Sequence, residues 1–193
     1  NAIDKSDTRG PNQFVILAAD PLGVLPPLAQ ISHEQALAWF ILGYGNHVGP
    51  REENEATVDI RFTPGFMDTM VPRHFDDYLF ILENLMEAHD TQCFLVNAGW
   101  HGGSVSDGEP LSAFEESAII LGMNQCTNWR PFDHFGLSVP AGQSETALAW
   151  HPRDRWDDKE KFEESVGQLK YAITEELSRY ATTGRWLSAL DLL

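Results

Sequence analysis

The stretch Gly99-Trp-His-Gly-Gly103, at the start of the Gly-rich loop Gly99 to Gly108, has the residue types best suited to chemistry. Glycines and small polar residues between an apolar run and a helix start can turn backbone N–H groups toward an anion. The same stretch contains no Lys or Arg. Without a cation the electrostatic case for phosphate falls away, and the favoured reading is a plain connection between strand and helix. Ser104 and Ser106 are assigned no His base. His74, His89, His101 and His134 are not at helical metal-ligand spacing, and no Cys/His cluster accompanies them. Asp76-Asp77 and Asp157-Asp158 stand at helix starts, where carboxylates complement the positive end of the helix dipole. The residues alone therefore assign no catalytic, cofactor-binding or metal-ligating set, and no cofactor.

The elements that would position this loop are legible from periodicity. Phe14 to Ala19 is a continuous apolar run, which predicts a strand buried on both faces and stopped by Pro26-Pro27. Ser32 with Gln35 makes a capping box for a helix running to about Gly43; it is apolar nearly all round and so expected to be buried. Asn46 to Asn54 reads as a loop and Thr57 to Phe62 as a short strand. From His74 to Ala88, Phe75, Tyr78, Leu79, Leu82, Leu85 and Met86 form one apolar helical stripe. A strand is predicted at Gln92 to Asn97, a capped helix from Ser112 and Glu115 to about Met123, and a short strand at Phe135 to Val139. The last long helix, about Asp158 to Tyr180, carries Phe162, Val166, Leu169, Ile173 and Leu177 on one face. Alternating strands and helices make the class α/β.

Composition narrows the partners. With 29 acidic against 13 basic side chains among 193 residues, the net charge is -16. Nucleic acid binding needs clustered Lys and Arg, so no nucleic acid partner is expected. The longest apolar runs fall well short of the ~20 residues of a membrane helix, so no direct membrane insertion is expected. Two cysteines, Cys93 and Cys126, are too few for a disulfide scaffold, which points to a reducing intracellular compartment. The chain starts at Asn1, consistent with removal of an upstream or targeting segment; a mitochondrial or other organelle matrix is favoured over cytoplasm. The apolar tail Arg185-Trp-Leu-Ser-Ala-Leu-Asp-Leu-Leu193 could dock on the core or serve as a contact segment, with Trp186, Leu187 and Leu190 as the candidate interface residues.

The order of motifs carries more than any one of them. Phe14-Val-Ile-Leu-Ala-Ala-Asp-Pro-Leu-Gly-Val-Leu-Pro-Pro-Leu28, followed by Ser32 to Tyr44, resembles the ATP-dependent phosphoenolpyruvate carboxykinase family. That family has an apolar strand, an Asp, a Gly-Val-Leu-Pro-Pro turn and a helix ending in Gly-Tyr. His74-Phe-Asp-Asp-Tyr78, Cys93-Phe-Leu-Val-Asn-Ala-Gly-Trp-His-Gly-Gly103, Phe135-Gly-Leu-Ser-Val-Pro140, and Pro152-Arg153 with Trp156 and Asp158-Lys159 are similar to further family blocks in the same order. The resemblance covers about residues 12–180. It implies a single mixed α/β domain like the C-terminal lobe of the enzyme over 12–181, with an extension at 1–11 and the apolar tail at 182–193.

The resemblance also implies a reaction: oxaloacetate and ATP to phosphoenolpyruvate, carbon dioxide and ADP, with a divalent metal. Its phosphate loop and metal-binding Lys, His and Asp lie upstream of the matching segment, and no Gly-x-x-x-x-Gly-Lys-Ser/Thr occurs here. Where the family has nucleotide-contacting Lys and Arg after the Gly-Trp loop, this chain has Glu109 and Pro110; Glu116 and Ser117 replace a Thr-Arg pair. Glutamates beside a polyphosphate would repel it. Met67 stands where the family usually has a Gly. The resulting expectation is a non-catalytic pseudoenzyme, retained as a structural or accessory subunit with protein subunits of a larger assembly as partners. The alternatives are one fragment of an active carboxykinase and a small-molecule binding module.

Overall fold

The computed structural model describes residues 12–45, 60–66, 74–142, 149–180 and 182–193. The expected 1–11 extension, the loop at Asn46 to Asn54 and the departure at Met67 lie outside the described residues. In chain order the elements are β1 (Gln13–Ala18), β2 (Leu28–Ile31), α1 (His33–Leu42), β3 (Tyr44–Gly45), β4 (Arg61–Phe62), α2 (Phe75–Ala88) and β5 (Gln92–Asn97). They continue with β6 (Trp100–His101), β7 (Glu109–Pro110), α3 (Ala113–Gln125), β8 (Trp129–Pro131), β9 (Ser138–Pro140), α4 (Lys159–Leu177) and α5 (Thr183–Ala189). The fold is mixed α/β.

The main sheet has the order β1-β5-β2-β9-β8. β1 and β5 run parallel, with Phe14 opposite Cys93 and Ala18 opposite Asn97. β2 lies antiparallel to β5, and β9 and β8 continue the antiparallel half. β1 already ends at Ala18, so the Pro26-Pro27 pair does not stop it as expected; the pair stands at the end of the connection, directly before β2. The sequence reading stopped there and missed β2, whose Leu28-Ala-Gln-Ile31 is too short to show a period. It also missed β8 and placed the last strand early. Phe135 and Gly136 both have positive φ, 60° and 61°, and make a turn, so the strand starts only at Ser138.

α1 begins at the expected capping box: the Ser32 hydroxyl accepts from the Gln35 N–H, and the Gln35 side chain accepts from the Ser32 N–H. It ends at Gly43, whose left-handed φ of 52° suits glycine. Ala36, Leu37, Ala38, Trp39, Ile41 and Leu42 are all fully buried, as expected for a helix without a polar face. α4 buries Phe162, Val166, Leu169, Ile173 and Leu177 on its single apolar stripe. In α2 the predicted stripe is covered only in part: Leu79 and Met86 are buried, while Leu85 is exposed beside Phe80 and Ile81.

Two expectations are corrected by the packing. β1 is an edge strand, and Leu17 is 62% exposed instead of buried. The tail also packs differently from the interface reading. α5 lies against α1 and α4, Trp186 and Leu190 are buried at 3% and 0% exposure, and Leu187 is partly buried against the same core. The residues offered as an interface are thus covered by the chain itself, because α5 packs against both α4 and the buried α1.

If Leu190 is core, Leu190→Ala should lower unfolding free energy by about 2–5 kcal/mol in chemical denaturation, the usual range for an apolar truncation in a packed site. A loss below about 0.5 kcal/mol would place it at the surface.

Burial is the main cause holding the imidazoles of His134 and His151 below their ordinary 6.5. The folded chain therefore favours the neutral rings more than the unfolded chain does. Their contribution to stability is present above about pH 6.5 and is lost as pH falls below it. The double variant His134→Gln, His151→Gln should flatten the decline of unfolding free energy between about pH 6.5 and 5.

Candidate functional site

Parallel strands gather their following connections at one edge, and that edge is where open α/β sheets bind ligands. Here the connections after β1 and β5, residues 19–27 and 98–112, meet there. What joins them is a buried polar network. Asp20 is fully buried, and its carboxylate accepts from the backbone N–H of Leu22 at 2.9 Å, Val24 at 2.6 Å and Leu25 at 2.8 Å, and from the Tyr44 hydroxyl at 2.5 Å. Burial raises its pKa, while these four donors act in the opposite sense.

Asn97, at the end of β5, ties the second connection to the first. Its Oδ1 accepts from the N–H of Asp20 at 3.1 Å and of Gly99 at 2.9 Å, and its Nδ2 donates to the Leu25 carbonyl at 3.2 Å. The two loops then approach closely. A Cβ on Gly23, which has φ of 69°, would lie 2.0 Å from the Gly103 carbonyl oxygen, and one on Gly99 would lie 2.5 Å from the Asp20 nitrogen. Glycine is needed at both positions for contact alone. The Val105 N–H donates to Pro21 O at 2.7 Å, and Trp156 Nε1 donates to Gly23 O at 3.0 Å.

Beyond Gly103 the loop pairs β6 with β7 and enters α3 through a second capping box, Ser112 with Glu115. Arg155 reaches this point and donates to Glu115 Oε1 at 2.6 Å; the buried His101 places Nε2 3.5 Å from the same oxygen. Burial would raise the Glu115 pKa, but hydrogen bonds from Ser112 and Arg155 outweigh it and lower the pKa to about 2. His101 is pushed down by burial and by Arg155. Glu109, Pro110 and Glu116 are exposed on the rim. The result is a backbone-built wall with an acidic rim, beside which Arg155 is already paired with Glu115. Among the described residues no three His, Cys, Asp or Glu side chains converge to hold a metal ion.

A sequence model of phosphoenolpyruvate carboxykinase matches residues 1–147 of the chain. The chain belongs to the phosphoenolpyruvate carboxykinase family. It is 32% identical over 177 residues to the phosphoenolpyruvate carboxykinase (ATP) of Campylobacter lari, a match covering 88% of this chain and 33% of that relative. The corresponding protein of Rhizobium rhizogenes is 29% identical over 185 residues, covering 93% and 34%, and that of Methylorubrum populi 32% over 177 residues, covering 88% and 32%. The chain spans about a third of the length of the curated relatives it matches.

These matches correct the pseudoenzyme expectation. The relatives bear the name of an enzyme, and two thirds of their length has no counterpart in these 193 residues. Lack of a phosphate loop within one third of a carboxykinase is no sign that chemistry has been lost.

The Asp20, Tyr44 and Asn97 network was not singled out from sequence. Its members are 24 and 77 residues from Asp20, and no spacing links them. The available signal was local: Asp20 and Asn97 each close an apolar run, where a polar residue has to find a buried partner. Replacing Asp20 by Asn would set an amide donor against N–H groups or the Tyr44 hydroxyl. Asp20→Asn should cost about 1–3 kcal/mol in denaturant unfolding, the range for an unmet buried polar group. Unchanged stability would remove the network as the clamp between the two loops.

Proposed function

We propose that this chain is the C-terminal-lobe portion of an ATP-dependent phosphoenolpyruvate carboxykinase, working with the other two thirds of such an enzyme to convert oxaloacetate and ATP to phosphoenolpyruvate, carbon dioxide and ADP. The observation that carries this reading is the match of 88% of the chain to one third of the Campylobacter lari relative. The meeting of the two clamped loops at the carboxyl ends of β1 and β5 supports it, since ligands bind at such an edge.

In this role the chain contributes shape more than charge. The loop 99–108 and the start of α3 form one wall of the nucleotide cleft, held rigid by Asp20, Asn97 and the close glycine contacts. Glu109 and Glu116 add negative charge at the rim, so neutralisation of the phosphates has to come from the remaining two thirds, with its phosphate loop and metal ligands. Arg155 is held by Glu115 and serves to fix the entry to α3.

The test is a fusion in which this chain replaces the matching third of the Campylobacter lari relative, assayed for phosphoenolpyruvate formation that requires both oxaloacetate and ATP. Turnover well above that of the relative's remaining two thirds alone is expected. A folded fusion with no such turnover would overturn the reading.

A further inference from the structure

Residues 150–158, which lead into α4, touch both clamped loops. Trp156 Nε1 donates to Gly23 O of the first connection at 3.0 Å. Arg155 meets the second connection twice: a Cβ on Gly102 would lie 3.2 Å from its carbonyl oxygen, and its guanidinium donates to Glu115 Oε1 at 2.6 Å. Farther along α3, a Cβ on Gly122 would lie 3.1 Å from the ring of Trp150. The segment is tied off by Lys159, whose Nζ donates to the carbonyls of Arg153 at 2.5 Å and Trp156 at 2.6 Å. Glu115 divides its two oxygens between two duties. Oε2 accepts from the Ser112 N–H at 2.9 Å and the Ser112 hydroxyl at 2.8 Å, which closes the capping box, and Oε1 accepts from Arg155. His101 Nε2, at 3.5 Å from Oε1, is too distant to take Arg155's place. Trp150 and Trp156 are buried, whereas the Arg155 side chain keeps 28% of its exposure, so changing Arg155 spares the core.

Resting on the proposed function, we infer that Arg155 is a positioning residue for ATP: acting through Glu115 Oε1, it holds the loop 99–108 and the start of α3 in the shape that meets the nucleotide. The ion pair joins a segment anchored by Trp150, Trp156 and Lys159 to a loop whose glycines give it little stiffness of its own. A loose wall has to be ordered when the ligand binds, and that ordering is taken from affinity. The wall meets ground state and transition state alike, so its loosening raises the KM for ATP and spares kcat.

Hydrogen exchange read by mass spectrometry on this chain tests the brace. Arg155→Met should speed exchange over residues 99–116 about tenfold and leave β5 unchanged. Glu115→Gln should do the same, because Gln still closes the capping box but loses the charge that holds Arg155. Arg155→Lys, which keeps a charged donor, should restore the wild-type pattern. Arg179→Met, which removes a 72% exposed cation beyond the end of α4, should leave it unchanged. In the fusion with the remaining two thirds of the Campylobacter lari relative, Arg155→Met should raise the KM for ATP about fivefold, with kcat and the KM for oxaloacetate within about twofold. Unchanged exchange over 99–116, a rise spread equally over every strand, or an unchanged KM for ATP would each overturn the inference. A wild-type fusion without turnover counts against the proposed function alone, and the exchange pattern then upholds or overturns the role of Arg155 by itself.

Discussion

The Asp20 carboxylate is the interaction on which the surrounding architecture depends. Three backbone N–H groups of the turn that follows, those of Leu22, Val24 and Leu25, point at it, and the Tyr44 hydroxyl closes the set from just after α1. A buried turn must satisfy its amides somewhere, and a carboxylate can accept several at once. Desolvation of Asp20 opposes its charge, so the charged form depends on those donors being in place. Turn and acid therefore specify one another.

From this point the order of the structure follows. The turn sets where β2 begins and how α1 crosses the sheet, and α1 is the element around which α2, α4 and α5 pack. Asn97 carries the same constraint to the loop after β5, so two connections far apart in sequence move as one body. The loop that approaches Gly23 through Gly103 can then present its backbone without side chains in the way. The two connections thus form one braced edge at the carboxyl ends of β1 and β5.

The sheet is uneven in how it is finished. Its antiparallel half closes on β8 and β9, with Trp129 against Phe94, while the parallel half ends in β1 with an apolar residue exposed. The apolar tail shows the opposite outcome: Trp186 and Leu190, attractive as contacts on composition, are satisfied inside the same core.

The sequence alone determined α1, α3 and α4, together with β1 and β5, because capping boxes and apolar periods are local and act over a few residues. Family membership was equally legible, carried by motifs in order from Phe14 to Lys159. Tertiary structure decided the rest. β2 and β8 are too short to show a period and exist because neighbouring strands need partners. Which apolar stripe is covered, as in α4, and which is partly open, as in α2 and β1, depends on what packs opposite. The Asp20, Tyr44 and Asn97 clamp depends on residues brought together across the fold, and hydrogen bonds between distant positions leave no period in a linear chain.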